Sequence, residues 1–345
     1  MGFVLVYCTT LPITIAILVH FEVFSMKVSI AMATYNGEKY LREQLESFLR
    51  QTRLPDELVV CDDCSTDHTV DILEDFVKIA PFPVRIFRNG ANLGYSGNFG
   101  RAISFCQGDV IFLSDQDDVW FPEKIEIVLR AFQETHSLVV INNALLTEES
   151  LKPVDITIVD QIRYVGFPLS SFVHGCCTAF RSELLRLLLP IPPEVAFDSW
   201  IHCLGAILNR RFILLRPLQY YRRHGKNTSD WIGNKPGRIG IFDYISSCRK
   251  ENPRVLCAQR LKMLEAMLER LSVRVSDLKS LAGGNLDVES IFASIKEEIE
   301  VVKRRLNLLQ RNKIFRFFLG LGMLGRREYK RYFTGWKSFV KDLLW

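Results

Sequence analysis

From Lys27 onward the chain alternates short apolar runs with amphipathic helical stretches, and nothing else in it constrains the fold as tightly. Residues 28–34 read as a buried strand. Residues 39–51 then place Leu41, Leu45, Phe48 and Leu49 at helical spacing. A second strand at 57–61 is followed by Ser65-Thr66-Asp67, which caps a helix reaching Ile79. A third strand at 83–88 leads through a Gly/Asn loop at 89–97 into a helix ending at Cys106. A fourth strand occupies 110–113. Near-continuous apolar strands separated by helices predict an α/β fold: a mainly parallel sheet flanked by helices.

The order loosens beyond Ser137. We expect a strand at 138–142, a loop-rich insertion at 147–167 and a strand at 172–180. Helices at 182–189 and 199–208 and strands at 212–216 and 219–222 complete this part. From residue 236 only helical periodicity remains, with long amphipathic helices at 254–281 and 288–310. The chain thus divides into a hydrophobic segment at 1–25, an α/β domain at 26–235 and a helical, basic extension at 236–345.

The fourth strand ends in Ser114-Asp115-Gln116-Asp117-Asp118, three carboxylates within four residues. Like charges packed so closely repel, and desolvating them is costly. A divalent cation removes the conflict, because hard cations take oxygen ligands and reverse the local electrostatics. The carboxyl edge of an open α/β sheet is also where ligands bind. The segment therefore reads as a metal–diphosphate site, with an acidic turn capping the next helix as the competing reading. The second strand ends in Asp62-Asp63, on the same edge of a parallel sheet. A Thr34-Tyr35-Asn36 turn and an Asn92-Leu93-Gly94 loop bring two further polar segments to it.

With these segments together, the chain resembles the family 2 glycosyltransferases, which have the GT-A fold. The matching text is Met32-Ala33-Thr34-Tyr35-Asn36-Gly37, then Val60-Cys61-Asp62-Asp63-Cys64-Ser65-Thr66-Asp67. Asn92-Leu93-Gly94 and Leu113-Ser114-Asp115-Gln116-Asp117-Asp118 follow in the family's order. Phe197-Asp198-Ser199-Trp200 and Tyr221-Arg222-Arg223-His224-Gly225-Lys226-Asn227 look like late motifs of the rhamnosyltransferase-like bacterial branch. The resemblance runs from 27 to 230.

The resemblance implies an inverting, metal-dependent glycosyltransferase with a nucleotide-sugar donor, dTDP-rhamnose or a UDP-sugar. The acceptor would be a hydroxyl of a growing bacterial surface glycan or lipid-linked oligosaccharide. Thr34, Tyr35, Asn36, Asp63, Asn92 and Gly94 would meet the donor, with Arg223 near its diphosphate; Arg222 is the alternative there. Asp115 would serve both donor and metal, and Asp117 and His224 would complete the site for Mg2+ or Mn2+. Asp198 matches the catalytic base. Two positions depart from the pattern: Cys64, where many relatives carry Gly, and Ser199, where close relatives often have an aromatic residue. The chemistry agrees with these roles. Displacing a nucleoside diphosphate builds charge on the leaving oxygens, which a Lewis acid stabilises. The attacking hydroxyl must lose its proton to a positioned carboxylate.

Blander roles fall to other residues. Asp67 reads as a helix-cap or turn residue, and Asp118 is either a ligand or a first-turn helix residue. His174 and His202 read as structural, and Trp120 and Trp200 as core or pocket wall. Two other function classes remain open on the residues alone. One is an aspartyl phosphotransferase with Asp115 as nucleophile; the other is a membrane-tethered carbohydrate-binding or scaffold protein.

Charge is uneven. Residues 301–345 hold 12 Lys/Arg against 2 Asp/Glu, and the remaining chain holds 32 against 37. The body is thus mildly acidic, which argues against nucleic acid as a partner. The basic, aromatic tail suits an anionic membrane surface. Nine cysteines without a disulfide-framework pattern indicate a reduced, cytoplasmic setting. Residues 3–23 are nearly all apolar but lack flanking Lys/Arg on their N-terminal side. They read as a misassigned start before Met26 or as a membrane anchor. Either way the expected location is cytoplasmic, peripheral at the inner face of the plasma membrane.

Overall fold

The computed structural model describes residues 26–225, 227, 246, 252–282 and 287–345. The hydrophobic segment at 1–25, the domain boundary at 235/236 and Lys226 lie outside the described residues.

Strands β1 (Val28–Thr34), β2 (Glu57–Asp62), β3 (Val84–Arg88) and β4 (Val110–Ser114) pair in parallel in the order β3-β2-β1-β4. Their alternating side chains build two cores. Ile30, Met32, Leu58 and Val60 face Phe48, Leu73 and Phe132 on one side. Ala31, Cys61, Ile111 and Leu113 face Phe99, Ile103 and Trp200 on the other. A strand buried on both faces has no solvent side, which explains its near-continuous apolar text.

Beyond β4 the sheet becomes mixed. Strand β8 (Thr178–Arg181) runs antiparallel to both β4 and β6 (Val139–Thr147), and β6 lies parallel to β9 (Arg211–Arg222). The short β5 (Val119–Trp120) pairs with β9, and β7 (Pro153–Thr157) pairs with β6, giving nine strands.

Several expectations are corrected here. The supposed loop at 147–167 holds β7 and a helix, Ile158–Val165. Thr157 and Asp160 form a reciprocal capping box at that helix's start, a signal present in the text. The strand expected at 172–180 is confined to 178–181, after single turns at 169–171 and 175–177. The two strands expected at 212–222 are one. Pro217 lies at the register shift between Asn142 and Asn143, where a residue without an N–H is tolerated. The helix expected at 254–281 breaks at Arg274 into Pro253–Val273 and Val275–Ala282.

The C-terminal helices do not stand apart. Leu264, Met267 and Leu271 of Pro253–Val273, with Ile295, Ile299 and Val302 of Val288–Gln310, join the same core as Ala31 and Trp200. Arg270 Nη1 donates to Leu187 O at 2.9 Å, tying the extension to the α/β body.

Candidate functional site

Parallel register delivers the polar segments to one edge. Thr34 lies opposite Asp62, and Met32 opposite Ser114, so the turns after β1, β2 and β4 emerge side by side. They open into a cleft of about 1300 Å³. Thr34, Tyr35, Asn36, Asp63, Asn92 and Gly94 all line it. So do Asp115, Asp117, Asp198 and His224, drawn from three separate segments of the chain. Arg223 is not among the lining residues; its backbone N donates to Thr147 O at 3.2 Å.

The residues at the ends of β1 and β2 are knitted together. Asp63 is buried, and its carboxylate accepts from Leu93 N (2.7 Å), Gly94 N (2.9 Å) and Asn89 Nδ2 (2.7 Å). It thereby caps the helix Gly94–Phe105, whose N-terminal N–H groups favour a negative charge. Gly94 has φ +70, a conformation costly for any residue with a Cβ. Thr34 Oγ1 donates to Asp62 at 3.0 Å, and Asn36 Oδ1 accepts from Thr66 N at 2.9 Å. Cys64 adopts φ 65, which explains why glycine suits that position. Asp67 accepts from Thr69 N at 3.0 Å, the turn role expected of it.

Gln116 clasps two of the turns. Its Oε1 accepts from Tyr35 N at 2.9 Å and its Nε2 donates to Tyr35 O at 3.0 Å. A Cβ on Gly37 would fall 2.3 Å from that Oε1, so glycine leaves the clasp its room.

The acidic cluster is electrostatically strained. Burial, then repulsion from Asp117 and Asp118, holds the Asp115 carboxyl well above the usual carboxylate range. Burial, then Asp117, pushes Asp118 up to about 7. Asp118 turns out to be an anchor: it accepts from Gln219 Nε2 at 2.7 Å and Arg222 N at 3.3 Å, tying β9 to the turn. Gln219 in turn accepts from the buried Lys124. Lys124 also donates to Cys176 O at 3.1 Å and lies 3.9 Å from the Trp120 ring centre. Asp117 Oδ2 lies 2.7 Å from His224 Nε2, whose ring stacks on Tyr40 at 4.7 Å.

Asp198 lies in the first turn of the helix Phe197–Ile207 and lines the same cleft, near enough for its charge to act on Asp115. Burial raises its carboxyl above the usual range, and Ser199 N donates to it at 2.6 Å. The guanidinium of Arg222 is committed elsewhere: it bonds Asp117 O at 2.8 Å, Glu149 O at 2.7 Å and the Glu43 carboxylate. The diphosphate role once open to Arg222 is therefore corrected to a structural one. Trp200 is core, with its Nε1 donating to Leu188 O at 3.0 Å. His202 is buried against Thr178 at 2.9 Å, and desolvation pushes its pKa well below normal.

A second set of ligand atoms, from Asp115, Asp118 and Cys176, lies within 4.8 Å of one another. It suits a hard cation poorly. The bond to Cys177 and burial push the Cys176 thiol far up, and Mg2+ and Mn2+ prefer oxygen donors. Sequence reasoning also missed Leu256 and Gln259, through which the helix Pro253–Val273 lines the cleft. No local motif marks them, because only the tertiary fold brings that helix to the edge.

Residues 29–189 match the family model described as Glycosyl transferase family 2. An uncharacterized glycosyltransferase of Nostoc sp. is 31% identical over 218 residues, covering 59% of this chain and 66% of that protein. The dTDP-rhamnosyl transferase RfbG of Shigella flexneri is 39% identical over 99 residues, covering 28% of this chain and 34% of that one. The chain thus spans less than two thirds of the length of these relatives. Among solved structures, S. aureus TarS 1–349 in complex with UDP superposes with a TM-score of 0.51 at 18% identity. That likeness covers 92% of this chain and 88% of TarS 1–349, and it shows the same fold.

Proposed function

Because this chain belongs to glycosyl transferase family 2, we propose that it moves a sugar from a nucleotide-sugar to a hydroxyl of a growing bacterial surface glycan, inverting the anomeric centre. The carrying observation is the meeting of Asp115, Asp117 and His224 with Asp198 in one cleft, with Asp117 and His224 2.7 Å apart. The family assignment displaces the phosphotransferase and scaffold alternatives.

Asp115, Asp117 and His224 offer oxygen and imidazole donors of the kind a Mg2+ or Mn2+ site uses. Burial, then repulsion from Asp117 and Asp118, raises the Asp115 carboxyl, and a bound cation would offset that repulsion. When bound, such an ion supplies Lewis-acid stabilisation of the leaving diphosphate. Thr34, Tyr35, Asn36 and Asp63 hold the nucleoside, with Asn92 and Gly94 beside them. Arg223, outside the cleft lining, is the proposed contact to the diphosphate. Asp198 takes the proton of the acceptor hydroxyl.

RfbG is a dTDP-rhamnosyl transferase, and WfaP of Escherichia coli, 26% identical over 209 residues, is a glucosyltransferase using UDP-Glc and a diphosphoundecaprenol-linked acceptor. On that basis dTDP-rhamnose and UDP-sugars are the donors to test first. The proposed acceptor is lipid-linked, which places the enzyme at the anionic inner face of the plasma membrane, with the basic C-terminal extension toward it. The test is a donor screen with Mn2+ and Mg2+, measuring nucleoside diphosphate release with and without EDTA. We expect release with one donor class and its loss in EDTA. Full turnover in EDTA would remove the metal role, and silence with every donor would remove the transferase reading.

A further inference from the structure

One surface helix is inside out. In Lys313–Gly325 the buried positions are Arg316, Gly320 and Met323, a single inward stripe. Arg316 is turned into the protein, where its Nε donates to Arg311 O at 2.7 Å and its Nη1 to Asp342 O at 3.3 Å. The large apolar side chains point outward instead. Ile314 is 70% exposed, Phe315 60% and Phe318 65%, with Leu319 and Leu321 also exposed. A soluble helix normally places these the other way round. The arrangement is held firmly. Gly320 packs so closely on Phe339 that a Cβ there would lie 2.5 Å from its ring. Asp342 below is fixed by Arg305 through two bonds of 2.8 Å and by Tyr329 Oη at 2.7 Å.

The surroundings say what covers this face. Exposed Arg311, Lys313, Arg327 and Lys330 flank it. The two acidic residues of this stretch, Glu328 and Asp342, are buried in ion pairs with arginines. A second copy would bring like charges together around the contact, whereas anionic headgroups would pair with them. At 13 residues the helix is too short to span a bilayer. An apolar face with a cationic border lies in the headgroup–acyl boundary.

We propose that Lys313–Gly325 is the membrane-inserting element of this protein. Ile314, Phe315 and Phe318 enter an anionic phospholipid bilayer, while Arg311, Lys313, Arg327 and Lys330 bind its headgroups. This deepens the membrane-side location proposed above and rests on it. The helix Pro253–Val273, which lines the cleft through Leu256 and Gln259, packs against Val288–Gln310, and that helix leads directly into the inserting face. The cleft is therefore linked by two packed helices to the surface where a lipid-linked acceptor would arrive.

The test is co-sedimentation of the full chain with vesicles of phosphatidylcholine, with and without phosphatidylglycerol. The proteins are wild type, Phe315→Ser/Phe318→Ser, and Arg327→Gln/Lys330→Gln. Circular dichroism melts confirm folding; the substituted side chains are exposed. Wild type should pellet with the anionic vesicles. The phenylalanine variant should lose about tenfold or more in partitioning, as expected for withdrawing two aromatic rings from lipid. The charge variant should lose selectivity for phosphatidylglycerol. Undiminished vesicle binding by the phenylalanine variant would overturn the proposal, as would a concentration-dependent dimer that the same variant dissociates. Release of nucleoside diphosphate from soluble donor is read in parallel. It reports on the transferase reading alone, so the two can fail separately.

Discussion

Asp117 and His224, 107 positions apart, meet at 2.7 Å on the floor of the cleft. The contact joins the end of the parallel half-sheet to the chain leaving β9, so it forms only when both halves of the mixed sheet are in register. In the proposed site both side chains face the same cation. Asp117→Asn and His224→Gln should each weaken metal affinity by at least about 100-fold, the upper end of the cost of losing an outer-shell partner. The readout is the Mn2+ titration of nucleoside diphosphate release. The double variant should lose far less than the product of the single losses, because the residues act as one unit. Independent, multiplying losses would show that they do not share a site.

Asp198→Asn should cut acceptor transfer by about 10²–10⁴-fold, the usual worth of a positioned general base. Donor binding, measured by calorimetry, should be unchanged. Burial raises the Asp198 carboxyl above its usual range. Only the carboxylate form accepts a proton, so activity must fall as pH drops through this raised value. The acid limb of kcat/KM should therefore lie above the ordinary aspartate pKa of about 4. An acid limb unchanged in the residual activity of Asp198→Asn would assign it to another group.

Gln116 contributes two hydrogen bonds to the backbone of Tyr35 and has no expected contact with the reacting atoms. Gln116→Leu should cost about 1–2 kcal/mol in urea unfolding, the worth of two partly exposed bonds. It should raise the donor KM more than it lowers kcat, since it frees the turn that carries Tyr35. An equal fall in kcat with KM unchanged would place Gln116 in the chemistry instead.

The parallel half of the fold was legible because its signal is local. Residues such as Ile30 and Ala31 alternate between two cores, so each strand had to be apolar throughout. The cleft's acidic ends were legible for the same reason: Asp63 and Asp115 end such strands. The mixed half was not. β5 is two residues long, too short for any periodicity, and β9 runs through Pro217 only because a register shift accommodates it. The role of Asp118 was undecided in sequence because its partners, Gln219 and Arg222, are more than a hundred residues away. Lys124 looked like an ordinary helix-start lysine, and nothing near it in the chain announces a buried ammonium.

That ammonium makes the last prediction. Lys124 Nζ is enclosed by Trp120, Gln219 and Cys176, and burial pulls its pKa down to about 8. Lys124→Met leaves Gln219 Oε1 and Cys176 O without their donor, and should destabilise by about 2–4 kcal/mol at neutral pH. The pH dependence follows from proton binding. In the unfolded chain a lysine keeps its proton to about pH 10.4. The folded protein releases it near 8, so the unfolded state binds more protons in between. Wild-type stability therefore gains from this group as pH rises from 8 towards 10, and the variant lacks that gain. The deficit of Lys124→Met in urea unfolding should widen across that window. A constant deficit would mean that the ammonium is solvated and that the Gln219–Asp118 anchor does not depend on a desolvated charge.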